Sequence, residues 1–374
     1  MNKIIFFVYL IIFLLCTCDK QNSISQIPQI IYLEKQDSVT IPDKEIYFTC
    51  ITHYSKEPND YLYGYNFKSN SFYKYSFPRC ELLSKINIPS QLGTVKDFSI
   101  IKEGTIILQP QKNLSYYLIN EKGQIKDTLK INLKKYLPLP CVSNINPVFA
   151  NMNNLFITGY SGGVYKEEKK GDRSILVSYN LNDDNLIFYG DYPEVYYTSN
   201  FGGLNYRRVY NAVNYDENII VFSFPASHDV HLFDIKNKKS YIKHISQPET
   251  LKIEPFSRKR EWYGSLATQD YVEYYYTNNS YAEIYYDKYK HVYYRIFELP
   301  NSNFNFHKRD TYYKEKLVIV YDKNFKILGY AKIPDKIYTH TAIITKEGLY
   351  FQSKEKSINK WYLYNPREKI LTSG

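Results

Sequence analysis

The sequence predicts an all-β chain folded as a single β-propeller of four-stranded blades, and three observations carry that reading. Among 374 residues stand 42 tyrosines and 21 phenylalanines, side chains that fit a pleated, half-buried surface. Short runs with an apolar period of two alternate with turn-forming Gly, Asn, Asp and Lys. These runs come in rounds of four, recurring every ~40 to 60 residues, as propeller blades do. One such sheet cannot bury both of its faces; stacked blades can, and closing the ring protects the edges. Six rounds fit the chain, and seven remain possible if YVEYYYT at 271–277 belongs to an additional blade. No amphipathic helix is evident beyond the first residues.

The first round is read at 46–51, 60–66 (DYLYGYN) and 72–77 (FYKYSF), the last two flanking the hairpin loop FKSNS. The second runs 95–101, 105–108, 115–119 and 125–131, jointed at Glu103-Gly104 and Glu121-Lys122-Gly123, both turn signals. The third takes 148–150, 155–160, 175–179 and 186–191, and the fourth 208–215, 219–224, 230–234 and 240–245. A basic and aromatic connector covers 246–281. The fifth round opens with a hairpin and continues at 317–321 and 327–333. The sixth is read at 341–345, 348–352, 361–364 and 369–372.

The fifth-round hairpin, YAEIYYDKYKHVYYRIFELP at 281–300, is the sharpest of these. Ile284, Tyr286, Val292, Tyr294 and Ile296 share one side, and Glu283, Tyr285, Tyr293 and Arg295 the other. Asp287 to Lys290 make the turn. With Asp287 opposite His291, Tyr285 meets Tyr293 and Glu283 meets Arg295. That register gives one apolar face and one bearing an ion pair. The third strand of the rounds ends on an aromatic followed by Asn or Asp: Tyr65-Asn66, Tyr179-Asn180, Phe233-Asp234, Tyr321-Asp322 and Tyr364-Asn365. Asx side chains there bond their own backbone and set the next turn.

The chain starts MNKIIFFVYLIIFLLCTC. Lys3 is a charged n-region, and residues 4–15 are an apolar run of signal-peptide length, short of the ~20 residues a spanning helix needs. Leu15-Cys16-Thr17-Cys18 resembles the bacterial lipobox. The resemblance implies cleavage before Cys18 and a diacylglycerol on its sulfur, a tether to a bilayer rather than a span. Residues 1–17 thus read as a lipoprotein signal peptide, 18–30 as a flexible stalk and 31–374 as the propeller. Cys50, Cys80 and Cys141 show no CxxC or Cys/His clustering, so no metal site is expected. Three buried free thiols are favoured over one bridge and a leftover. The net charge of +10 is scattered. It indicates at most a weak pull toward acidic polymers or anionic lipid, and no nucleic-acid partner.

A lipobox followed by a tyrosine-rich propeller resembles lipoproteins of the Bacteroidetes, more narrowly their domain of unknown function 4221 (DUF4221). The residues are VFSFPASHDVHLFD (221–234), IYYDKYKHVYYR (284–295), LVIVYDKNFKILGYAKIP (317–334) and EGLYF (347–351). Tyr330 departs from the acidic residue expected after the glycine. The resemblance covers most of the mature chain. It implies a propeller and a lipid-anchored place in the cell envelope, with the outer membrane favoured, and it implies no activity.

Ser227-His228-Asp229-Val230-His231 looks catalytic, but triad members converge from separate segments, and no GxSxG elbow is present. It is read as a loop-to-strand boundary, and no catalytic residue is assigned. Asn182-Asp183-Asp184-Asn185 lacks the glycine and closing glutamate of a calcium loop and reads as a turn. Glu254, Asp270 and Glu273 could pair for glycan chemistry only if the fold brings them together. For ligand contact the candidates are Asn200, Phe201 and Arg207, in a loop leading into an inner strand, with His228 and with Arg295 set between aromatics. The expected function is non-enzymatic binding or scaffolding without a cofactor, with a glycan, peptide or envelope protein as partner. The alternatives are a polysaccharide lyase or hydrolase, or an accessory of nutrient uptake.

Overall fold

Six antiparallel sheets follow one another along the chain. The computed structural model describes residues 31–368 apart from 42–47, 57, 113–114, 132–138, 161–170, 172, 247–250, 258–268 and 356–358. The expected signal peptide and stalk, Cys18 and the strand at 369–372 lie outside the described residues.

Blade one comprises Phe48–Lys56, Asn59–Asn66, Ser71–Phe77 and Leu82–Asn87; blade two comprises Val95–Lys102, Thr105–Pro110, Tyr116–Asn120 and Ile125–Leu129. Blade three has Asn154–Tyr160, Leu176–Asn180 and Leu186–Tyr189, its first position shared by Leu139–Pro140 and Phe149–Asn151. Blade four is Tyr210–Asn214, Ile219–Ser223, Val230–Asp234 and Lys239–Lys243. Blade five is Ser280–Asp287, Val292–Glu298, Lys316–Asp322 and Ile327–Lys332. Blade six has Ile337–Ile344, Leu349–Ser353 and Lys360–Glu368, and takes its fourth strand from Ile31–Thr40 at the other end of the described chain. That strand, which was not expected from sequence, fills the fourth position of the blade. It also runs beside Ile327–Lys332 and so closes the ring against blade five.

The blades' first strands are innermost and touch one another between blades one and two, two and three, four and five, five and six, and six and one. We call the end where these strands begin the upper face. Aromatics fill the seams between blades: Phe72 on Phe98 at 4.6 Å between blades one and two, and Phe77 on Tyr350 at 4.9 Å across the closing seam. Burying such a ring stabilises by about 1.5–3 kcal/mol. The Asx turns form as read. Asn66, Asn180, Asp234 and Asp322 accept backbone N–H groups two or three residues on. Tyr65-Asn66, however, ends a second strand, and Tyr364-Asn365 lies inside its strand, where Asn365 pairs with Glu34.

The blade-five hairpin takes a different register from the expected one. Asp287 faces Val292, Tyr285 faces Tyr294 and Ile284 faces Arg295. His291 adopts a left-handed φ of 52° and joins the turn, while Asp287 Oδ1 accepts from the N–H groups of Tyr289 and Lys290. Beyond a bulge, where Ala282 and Glu283 stand against Ile296, the expected register returns with Tyr281 opposite Phe297. The longer turn forces the slip and the bulge absorbs it.

Residues 271–277 form a helix, Gln269–Thr277, not a seventh blade. Tyr271, Tyr274 and Tyr275 fall at helical spacing, and the first two are buried. Tyrosine's strand preference yields here to packing. The helix caps the upper face together with residues 190–209, 251–257 and 299–315. Tyr206 Oη donates to the Asn279 carbonyl at 2.8 Å, the Phe256 N–H to the Asn200 carbonyl at 2.7 Å, and the Asn301 N–H to the Tyr276 carbonyl at 2.8 Å.

Candidate functional site

The cap explains the fate of the loop expected to contact ligand. Asn200, Phe201 and Arg207 are all buried. Asn200 Oδ1 accepts the Gly202 N–H, Phe201 packs between Tyr196 and Tyr206, and Arg207 lies over the rings of Tyr192 and Tyr196. Gly202 sits at φ +70° with the Tyr271 ring where a Cβ would go. The contacts of these three residues lie within the cap itself.

Arg295 is fully buried and does not pair with Glu283. Its guanidinium stands 3.5 Å from the Tyr281 ring centroid. Nε donates to Ser223 Oγ at 2.9 Å, Nη1 to the His228 carbonyl at 2.5 Å, and Nη2 to the Ser227 carbonyl at 2.8 Å and the Phe224 carbonyl at 3.4 Å. Four oxygens and an aromatic face thus stand in for a carboxylate. The slipped register aims Arg295 at blade four, while Glu283 receives the Thr339 hydroxyl at 3.1 Å. His228 is half-buried, with Nδ1 3.1 Å from Tyr281 Oη. Burial first, and the Arg295 charge second, lower its pKa to about 4. The segment around it is the boundary read from sequence: Asp229 binds the Ile245 N–H and His244, His231 packs on Phe224, and Val230 starts a strand. Glu254 pairs with Lys252 at 2.7 Å. Asn182–Asn185 is a turn.

A second polar group lies at the inner edge of blades five and six. Glu298 accepts from Tyr275 Oη at 2.6 Å and Ser280 Oγ at 3.1 Å, with Lys316 Nζ at 3.1 Å. Burial penalises its carboxylate, yet Lys316 and Lys314 hold its pKa down at about 2. Lys314, pulled down to about 8 by burial against the attraction of Glu298, donates to Ser280 Oγ and to the Tyr275 and Asn278 carbonyls. Lys316 reaches on to Thr339 Oγ1 at 2.8 Å. Beside it stands His340, exposed to solvent but walled by protein. Desolvation lowers its pKa, Lys316, Arg208 and Lys354 push the same way, and Glu283 opposes them.

A mouth opens on the upper face. Between blades two, three and four lies a cavity of about 180 Å³, lined by Asp97, Cys141, Ser143, Asn146, Arg208 and Tyr210, with Ile145 and Val209 as its apolar wall. Burial pushes the Asp97 carboxyl up to about 6, against Lys96, and the Cys141 thiol up to about 11. Cys141 and Cys80 are free thiols; the Cys50 side chain lies outside the described residues. Asn146 Oδ1 is buried without a hydrogen-bond partner among the described residues, and Ser143 Oγ, also buried, has at most the weakly accepting Cys141 sulfur beside it. The intervening Asn144 crosses the ring axis, donating to the His340 carbonyl at 2.7 Å and accepting from Thr52 Oγ1 at 3.3 Å. It braces blades one, three and six. No group of three or more His, Cys, Asp or Glu among the described residues is placed to hold a metal ion.

Of the mouth residues only Cys141 was named from sequence, and then as a free thiol rather than as part of a site. Arg208 and Tyr210 carry the one usable signal, their place where an inner strand begins. Asp97 was hidden inside a strand and Asn146 inside a connector.

The family described as Domain of unknown function (DUF4221) matches residues 32–332, and the chain belongs to it. A crystal structure of a DUF4221 member from Bacteroides vulgatus shares the fold, with a TM-score of 0.76 at 18% identity, covering 91% of this chain and 100% of that one. Kuenenia stuttgartiensis hydrazine synthase (TM-score 0.41, 8% identity, 78% and 70% covered) and virginiamycin B lyase from Staphylococcus aureus (0.42, 9%, 89% and 99%) resemble it far less. No curated protein matches the chain.

Proposed function

We propose that this DUF4221 member is a lipid-anchored, non-enzymatic binding module of a bacterial envelope that holds its ligand at the upper mouth. One observation carries the reading: Asn146, 3% exposed, offers an unpartnered Oδ1 at the wall of an open cavity. A buried acceptor left unmade costs about 1–3 kcal/mol, a cost a ligand donor removes.

The anchor is Cys18, on the lipobox resemblance. Ile31 pairs with Glu368 at the lower face, so a chain tethered through Cys18 would turn its mouth away from the bilayer. The intervening residues span up to about 45 Å when extended. Labelling cells with an alkyne fatty acid tests the anchor: label on wild type and none on Cys18→Ala is expected, and equal label on both refutes it. For the mouth, wild type and Ser143→Trp, whose indole would fill the cavity, are screened against glycans and peptides. Binding lost in the variant is expected; identical binding by both rejects the site.

A second reading, an enzyme acting on a polysaccharide, is favoured by one feature. His340, kept neutral by its surroundings, stands near Arg208 and Glu283 at the same mouth. Release of new reducing ends or unsaturated sugars from a bound glycan, lost in His340→Gln, would decide for it.

A further inference from the structure

We infer that the cavity between blades two, three and four is a subsite for a single acidic sugar, a uronic-acid residue bound through its carboxylate and ring hydroxyls. This rests on the reading of the mouth as a binding site. The cavity, at about 180 Å³, holds several waters and suits a ligand of sugar-ring size.

Its lining has a particular chemistry. Asn146 Oδ1 requires a donor, and Ser143 Oγ, buried beside it, can give or take one. A sugar hydroxyl does both at once, whereas a peptide terminus brings one amide N–H per residue. The exposed Arg208 at the wall has the planar fork that grips a carboxylate through two parallel hydrogen bonds. Ile145 and Val209 offer an apolar surface to the C–H face of a ring.

Asp97 adds a condition. The charged and titratable groups about it are Lys96 on its own strand, Cys141 on the facing loop, and Arg208 at the start of blade four. Ionised, Asp97 repels a ligand carboxylate. Protonated, it becomes a hydroxyl donor. Burial sets that change at about pH 6. Binding therefore tightens as pH falls through 6, until the ligand's own carboxylate takes up its proton.

Isothermal titration of the purified protein with sodium glucuronate, glucose and sodium acetate tests the assignment. Glucuronate is expected to bind at least about tenfold more tightly than either control. Arg208→Gln should remove about tenfold of that affinity, with a thermal melt run alongside to separate lost binding from lost folding. Ser143→Ala should cost several-fold, with an unchanged thermal melt. Asp97→Asn should abolish the tightening between pH 7 and pH 5.5. Undetectable glucuronate binding, or affinity unmoved by Arg208→Gln, overturns the inference. Binding of glucose or a peptide instead, blocked by Ser143→Trp, also overturns it but leaves the mouth standing as a site. Failure of every glycan and peptide fails both.

Discussion

Replacing Arg295 with methionine removes the cation that ties blade five to the 224–228 turn of blade four, and its cost can be worked from the contacts. Ser223 Oγ keeps a bond to the Ala282 carbonyl, and the Phe224 carbonyl keeps the Ser227 N–H at 3.3 Å. The Ser227 and His228 carbonyls lose their guanidinium donors. Each orphaned acceptor costs about 1–3 kcal/mol, and the lost contact over Tyr281 about 2. Methionine fills most of the volume and no charge has to be buried, which offsets part of this. A net loss of about 3 kcal/mol is expected in urea titrations. Arg295→Lys keeps the charge, but one ammonium cannot span four acceptors, so about 2 kcal/mol should go. His228 supplies an independent readout. Its pKa of about 4 rests on burial and then on Arg295. In Arg295→Met it should climb toward the ordinary histidine value; in Arg295→Lys it should stay low. In wild type the unfolded chain protonates His228 before the folded one does. Stability should therefore fall as pH drops from 6.5 toward 4, by about 1–2 kcal/mol after allowance for partial solvent screening. An Arg295→Met protein with the wild-type urea midpoint and an unmoved His228 titration would refute the clamp.

Three further outcomes are expected. Glu298→Gln strands Lys314 and Lys316 and should cost about 3–5 kcal/mol at neutral pH. With Glu298 held at about 2, its stabilisation is present above pH 4.5 and lost as pH falls toward 2, so the gap should close in acid, as urea titrations at pH 7 and pH 2.5 would show. Deleting residues 31–40 opens blade six and should remove on the order of 5 kcal/mol, comparable to a domain's whole stability; a cooperative melt at the wild-type temperature would contradict the closure. Gly202→Ala meets both a φ of +70° and the Tyr271 ring at 2.4 Å, and calorimetry should find about 2 kcal/mol lost.

What the sequence made legible was local. Period-two runs and Asx turns are set by neighbours in the chain, so most strands were found within two or three residues. The closing strand Ile31–Thr40 was missed because its partner lies at the opposite end of the chain, and no local pattern records that pairing. The register of 281–300 failed on one backbone choice, the left-handed His291, to which alternation of side chains is blind. The helix at Gln269–Thr277 failed because a tyrosine run satisfies either period, and the choice was made by the cap beneath it.

The site followed the same logic with the signs reversed. Asn200, Phe201, Arg207 and Arg295 attracted notice because loops, arginines and aromatics are what binding surfaces use. They are also what a protein uses to fasten a cap and a turn when tyrosine is its main building material. Arg207 over Tyr192 and Arg295 over Tyr281 are the same device twice. The mouth residues are inconspicuous one by one: an aspartate in a strand, an asparagine in a connector, an arginine before an inner strand. Ring closure brings them together from three blades, and the chemistry there belongs to the juxtaposition. Asn144 shows why the geometry persists. By bonding to blade six and blade one from the connector before blade three, it holds the cavity wall to the far side of the ring. Ser143 and Asn146, on either side of it, are thereby kept at the cavity wall, and the sugar proposed for the cavity would find its polar partners already in position.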